Sequence, residues 1–452
     1  MSKQHAPSQT SAPSVDSPSA GTSSPQTASA GNSAQGMSLM QSLAHDWGGE
    51  GATVGTLDTV PSDPVQALRE AAAGNALGMV DEAHCLALIG VLSDTQAAQV
   101  AADNGIMTRL GWAFNNDELR KAAELGDRRM AKKFFIKRFG IKMKGRFEDA
   151  GGDQTSNQET GRAGPGETLL DWEHQDILDV WDQLALLPVQ DVSENTAIKA
   201  FESISGTGAY WSGGPGEVQI GQAINDDPAH STLDHTVRHE IGHAVHDLLE
   251  SSVNAWLEKQ VGFYVLGYGR DGCQALVDSL GGFPSGVDQD HVLDLLDTYL
   301  NSESWGTANP MPDKDDDWKK MPASVKTAVE QSENSWYMNY KKHPKGSKGR
   351  VFFNHWYDNT MCFSAVAEQA INATGDDYSA MSPSEFFANC YAEFFGDPAG
   401  YTDPKKWGGK LPGTVQTFFR NHILDRQPYA APEDKKSINP ALTTNNESGI
   451  PQ

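Results

Sequence analysis

The sequence predicts a mostly helical α+β fold: a disordered N-terminal tail, a small all-α module, and a larger helical domain with a small β-sheet. Three observations carry this expectation. Residues 1–60 hold too few large apolar side chains to offset the entropy of ordering them. From Ser62 to about Phe139 apolar residues recur at helical spacing, with no strand signal. From about Thr168 one amphipathic helix and two strand-like segments lead into a His-rich helix and a long, mostly helical region ending near Leu424.

A chain of 452 residues is long enough for two or three domains. Its formal net charge of −25 favours solubility and argues against general nucleic-acid binding, so nucleic acid is not an expected partner. The cysteines Cys85, Cys273, Cys362 and Cys390 show no CxxC spacing. Neither a disulfide framework nor a cysteine zinc site is indicated, and reduced thiols are expected. No apolar stretch follows Lys3 as a secretory signal requires, and no run approaches the ~20 apolar residues of a membrane span. The expectation is a protein made in the cytoplasm that, if exported or injected, leaves without a cleavable signal.

Taken in order, residues 1–60 form a Ser/Ala/Pro-rich tail, read as a linker or as an address for a secretion or injection apparatus. Residues 61–148 form the all-α module, with helical spacing over Val80–Ile89 and Ile106–Phe114. Capping-box spacing marks two helix starts, Ser93 with Gln96 and Asn115 with Glu118. The module ends in a basic amphipathic stretch: residues 128–146 carry nine Lys or Arg and no acid, interleaved with Phe134, Phe135, Ile136, Phe139, Ile141 and Met143. Such a stretch suits an anionic membrane or nucleic acid, or equally the acidic remainder of its own chain.

Residues 149–167 read as a Gly/polar linker, and 168–428 as the second domain. There an amphipathic helix runs through Leu170, Ile177, Trp181 and Leu184. Strand-like segments follow at Ala197–Ile204 and Tyr210–Ile220, the second broken by the turn signal Gly213-Gly214-Pro215-Gly216. The charged stretch 301–349 reads as an insertion or surface loop, and 429–452 as a disordered tail.

Residues 239–243 read His-Glu-Ile-Gly-His. On a helix, His239 and His243 lie on one face a turn apart, so both imidazoles reach one ion. Glu240 then projects beside the metal, placed to deprotonate a water. Ile241, Ala244, Val245, Leu248 and Leu249 supply a buried stripe for this helix. His235 and His246 compete as ligands. His246 lies about 10.5 Å along the helix from His239, too far for one ion with bonds of about 2.0–2.1 Å. Both are assigned to the surroundings of the site, and Asp247 is a candidate to orient a ligand imidazole or an exposed last-turn carboxylate.

A catalytic zinc needs a third protein ligand from elsewhere in the fold. The segment Ser384-Glu385-Phe386-Phe387-Ala388 opens an aromatic-rich helix, with Pro383 suited to its first turn and Ser382 as a candidate N-cap. A glutamate there is costly to bury unless it binds something charged. Glu385 is therefore the preferred third ligand to a single zinc, and Glu393 its rival.

His239-Glu240-Ile241-Gly242-His243-Ala244-Val245, then Tyr378, then Glu385-Phe386-Phe387-Ala388, resembles the catalytic domain of anthrax lethal factor and related gluzincin peptidases. The resemblance spans about 168–425 and is sharp only at these motifs. It implies a zincin-like metallopeptidase domain binding one Zn2+ per chain, with His239, His243 and Glu385 as ligands and Glu240 as the catalytic base. It also implies that Tyr378 faces the scissile carbonyl. The family often has an acid four residues after the ligand Glu, where this chain has Asn389, and the stretch from His243 to Tyr378 is longer than in lethal factor.

The function expected is hydrolysis of a protein or peptide substrate, bound extended along an edge strand near Glu217–Ile220. The disordered head and helical module fit a toxin or effector delivered without a signal peptide. The competing expectations are a cytoplasmic processing peptidase and an adaptor that keeps zinc only to stabilise its fold.

Overall fold

The computed structural model describes residues 52–75, 78–144, 170–204, 208–221, 232–300, 315–332, 340–354, 358–397, 399–400 and 403–426. Residues 1–51 of the expected tail at 1–60, the expected tail at 429–452, the linker 149–167, and parts of the stretch 301–349 lie outside the described residues. Among the described residues no helix is long and apolar enough to cross a membrane. The fold is α+β and mostly helical, with two small sheets among the described residues. Its two compact units are Lys3–Glu240 with Pro398–Lys405, and Ile241–Asp397 with Lys406–Gln452. This division falls inside a helix, not at the Gly-rich stretch after residue 148.

Among the described residues the first unit opens with six short helices: α1 Pro64–Ala73, α2 Glu82–Ile89, α3 Asp94–Ala102, α4 Asn104–Ala113, α5 Asn116–Leu125 and α6 Arg128–Phe139. Both capping boxes form as the spacing predicts, Ser93 with Gln96 and Asn115 with Glu118, each satisfying backbone donors that a helix start leaves open. Within the expected tail, residues 52–60 are described, and Gly55 N–H donates to the Ala83 carbonyl of α2 at 2.8 Å.

The basic stretch is more than helix. After α6 the chain turns at Gly140, left-handed with φ of 73°, and Lys142–Lys144 forms strand β1. β1 pairs parallel with β2 (Ala200–Ile204), which pairs parallel with β4 (Glu217–Gly221), and β3 (Ala209–Ser212) pairs antiparallel with β4, giving the order β1-β2-β4-β3. The expectation of an all-α module to residue 148 is corrected accordingly, because its last segment is a sheet strand. The expectation of an edge strand at Glu217–Ile220 is overturned too. β4 is hydrogen-bonded on both sides, and among the described residues the outer strands are β1 and β3.

Several charges of the basic stretch are spent within the unit. Arg128 and Lys132 pair with Asp171 at 2.8 and 2.7 Å, and Lys144 with Glu217 at 2.8 Å. Lys137 lies over the ring of Trp112, 4.1 Å from its centroid. Helix α7 (His174–Ala185) starts later than its apolar spacing suggests. Leu170 lies before it in extended backbone, donating to Ser203 O at 2.9 Å.

Helix α8, Leu233–Leu248, carries the His-rich motif. Ile241, Ala244 and Val245 are buried as the stripe predicts, and so is Val237, but Leu248 is exposed. Beyond it come α9 (Glu250–Trp256), β5 (Phe263–Tyr268), α10 (Gly269–Ser279) and α11 (Gln289–Leu300). Next are α12 (Asp316–Lys320), α13 (Ala323–Ser332), β6 (Arg350–Asn354), β7 (Asn359–Phe363) and α14 (Ala365–Thr374). Further along the second unit come α15 (Pro383–Gly396) and α16 (Gly413–Phe418).

Two features depart from expectation here. Strands β5, β7 and β6 form an antiparallel sheet in that order, where a helical region was expected. The stretch read as a surface loop contributes α12 and α13, whose Trp318, Val325 and Val329 are buried in a core cluster with Leu276, Leu296 and Val351. Burial of such side chains stabilises the unit by roughly 1.5–3 kcal/mol each.

Candidate metal centre

Helix α15 is fixed at its start and along its apolar length. Ser382 is its N-cap, accepting from Glu385 N–H at 3.1 Å, and Pro383 fills the first turn as predicted. The buried Asn354 of β6 donates to the Met381 carbonyl at 2.5 Å, tying the start of α15 to the sheet. Along the helix, Phe387 stacks on Phe419 (5.2 Å between centroids), and Tyr391 and Phe394 pack on the same ring. Trp256 of α9 stacks on Phe418 at 4.1 Å, extending this aromatic core.

The fixed helix presents a carboxylate. In the α5 capping box Glu118 turns back onto the backbone of its own cap, whereas the Glu385 carboxylate reaches side chains from other elements. Its Oε2 lies 3.2 Å from His243 Nε2, and its Oε1 accepts from the Tyr378 hydroxyl at 3.3 Å. Tyr378 sits on a single 3-10 turn, Asp377–Ala380, whose cap Asp376 accepts from Tyr378 N–H at 2.9 Å.

Gly242 explains how the two helices come this close. A Cβ there would stand 2.9 Å from Ala388 Cα and 3.1 Å from Tyr391 Cβ, so only glycine allows α8 and α15 this separation. His239, one helical turn before His243, has its place set by the same continuous helix. Its ring stacks on His235, 6.3 Å away, and the neighbouring Arg238 is held by Gln183 of α7.

His239, His243 and Glu385 together form a group that could hold a metal ion, their ligand atoms all within 4.8 Å of one another. Two ligands on one zinc at bond lengths near 2.1 Å stand roughly 3.4 Å apart. The 3.2 Å between His243 and Glu385 matches that separation without rearrangement. Two neutral imidazoles and one carboxylate form a donor set suited to a divalent transition metal. His239 and Glu385 are buried, and so is Glu240 between the histidines. A buried carboxylate such as Glu385 is costly without a compensating cation.

The other candidates fall elsewhere. Glu393, the rival ligand, pairs with Lys410 at 3.0 Å. Asp247 is exposed, and Asn389 is buried. His246 is buried; its Nδ1 is 3.2 Å from Ser384 Oγ and its Nε2 is 3.1 Å from Asn254 Oδ1. Burial, chiefly, pushes its pKa below the ordinary histidine value. Ser384 Oγ is also 2.9 Å from His243 Nδ1. The sequence reading missed Ser384 and Asn254. Ser384 adjoins a ligand, but a serine in a first helical turn carries no metal signal of its own.

Comparison of the chain with protein-family models, with curated proteins and with solved structures finds no match. The reading of the site therefore rests on its own geometry and chemistry.

Proposed function

We propose that this chain is a zinc-dependent endopeptidase hydrolysing peptide bonds in a protein or peptide substrate. One observation carries the reading: two imidazoles a turn apart on α8 and a carboxylate from the start of α15 converge on one point, with Glu240 between the histidines. His239, His243 and Glu385 would hold the ion. Bound there, zinc supplies Lewis acidity and makes water acidic enough to ionise near neutral pH. Glu240 takes a proton from the attacking water and returns it to the leaving amine. The Tyr378 hydroxyl donates to the carbonyl oxygen as negative charge develops on it.

The test is zinc content and cleavage of a peptide library, measured together on wild type, Glu240→Gln and Glu385→Ala. The expected result is one zinc per chain and cleavage in the wild type. Glu240→Gln should keep zinc and lose activity by roughly 10²–10⁴-fold, and Glu385→Ala should lose the metal. A Glu240→Gln variant as active as wild type, or a wild type without zinc, would overturn the reading. Delivery as a toxin or effector is a separate proposal. Deleting residues 1–51, which spares the Gly55 contact with Ala83, should abolish export while zinc binding and cleavage persist.

A further inference from the structure

His243 has two ring nitrogens with different tasks. Nε2 faces the Glu385 carboxylate at 3.2 Å, and Nδ1 faces Ser384 Oγ at 2.9 Å. To offer a metal its Nε2 lone pair, the neutral ring must carry its proton on Nδ1. That proton is then donated to Ser384 Oγ. The serine hydroxyl, accepting from His243, can send its own hydrogen on to His246 Nδ1 at 3.2 Å. His246 is then protonated on Nε2, which donates to Asn254 Oδ1 at 3.1 Å.

The polarity of this chain is set at its far end. The Asn254 amide oxygen only accepts. It requires a hydrogen on His246 Nε2, so the neutral His246 accepts on Nδ1. Were the chain reversed, Ser384 would donate to His243 Nδ1. His243 would then carry its proton on Nε2, where a metal must bind. The His246 ring packs against Phe387 at a tilt of 38°, with 5.4 Å between centroids.

We propose that Ser384 is a positioning residue, oriented by His246 and Asn254, that fixes the tautomer and ring direction of His243 for metal binding. The inference rests on the metal-centre reading and deepens it. Ligand histidines commonly depend on such an outer partner, whose loss weakens metal binding about ten- to a hundredfold. Here the outer partner is a serine next in sequence to the third ligand, so one turn of α15 supplies both the carboxylate and the hydroxyl.

The experiment is zinc affinity of the full chain, by competition with a chromophoric chelator, with the tautomer of His243 read by NMR on isotope-labelled histidine. Ser384→Ala should bind zinc about ten- to a hundredfold more weakly, and Ser384→Thr should recover most of the loss. His246→Phe keeps the ring against Phe387 and removes both hydrogen bonds, and should match Ser384→Ala. The double variant should be no weaker than either single one, because the two act through one bond chain. Asn254→Asp preserves an acceptor and should bind as wild type. Metal-free Ser384→Ala should melt with the wild type. Unchanged affinity in Ser384→Ala, additive losses in the double variant, or a zinc-bound His243 without a proton on Nδ1 would overturn the relay. A wild type that takes up no zinc would instead overturn the metal centre itself.

Discussion

The Nε2 atom of His243, on a helix near the middle of the chain, stands 3.2 Å from the Oε2 atom of Glu385, which opens a helix far downstream. That separation suits two ligands on one ion, and it selects Glu385 over Glu393. Glu393 lies two turns further along α15 and is neutralised by Lys410. Glu393→Ala should therefore leave zinc stoichiometry unchanged, while Glu385→Ala reduces it to background. Metal analysis of the two purified variants checks this, and zinc retained only in Glu385→Ala would reverse the assignment.

Gly242 holds the two helices at ligand distance. In Gly242→Ala the new methyl would stand 2.9 Å from the backbone of Ala388, so a helix must move and not merely a side chain. Overpacking of this kind costs about 1–3 kcal/mol. The variant should melt at a lower temperature and bind zinc more weakly, since Glu385 moves with α15. A thermal melt and a chelator competition read both effects, and a variant identical to wild type in both would show the contact to be soft.

Tyr378 sits half-exposed with its hydroxyl 3.3 Å from Glu385 Oε1. Tyr378→Phe removes one donor and no metal ligand. Zinc content should be unchanged and kcat reduced on the order of 10²-fold, the usual effect of losing one oxyanion donor. Loss of zinc instead would make the tyrosine a support of the ligand carboxylate.

The parts of the site legible in the sequence are those set by local geometry. His239 and His243 are joined by the fixed i, i+4 spacing of one helix, and Ser382, Pro383 and Glu385 by the chemistry of one helix start. The capping boxes at Ser93 and Asn115 were legible for the same reason. What was hidden depends on non-local pairing. Lys142-Met143-Lys144 is too short and too charged to show strand alternation, and it becomes a strand only because β2 lies alongside. Phe263–Tyr268 and Arg350–Asn354 are short apolar runs that periodicity does not separate from buried helix. Trp318 lies within a highly charged stretch, yet it is buried in the core cluster beside β6. Ser384 becomes informative only once α8 and α15 are packed together.

Removing the α5 cap should lower stability without removing a metal ligand. Asn115 accepts from Asp117 N–H and Glu118 N–H at 2.9 and 3.0 Å, and Asn115→Ala leaves those donors open. The expected cost is about 0.5–2 kcal/mol, read as a lowered Tm, with zinc affinity unchanged. A coupled fall in zinc affinity would mean that loss of the cap reaches the helix that carries His239.

The last prediction concerns acid. His343 is buried against Phe352, with ring centroids 5.4 Å apart, and the Arg350 guanidinium donates to its backbone carbonyl at 2.8 Å. Burial, aided by the charge of Arg350, lowers its pKa from 6.5 to about 4. The folded state therefore resists a proton that the unfolded chain accepts. Between those two values the unfolded state binds more protons, so stability rises with pH and falls as the solution is acidified. The contribution is fully present above pH 6.5, declines toward pH 4, and is fully lost below it. Integrated over that window it amounts to roughly 3 kcal/mol. His343→Leu fills the site with an apolar group that does not titrate. Denaturant unfolding at several values from pH 7 to pH 4 should show a shallower acid decline in the variant than in the wild type. Parallel curves would mean that His343 is protonated in the folded protein, and that its burial does not govern the acid limb.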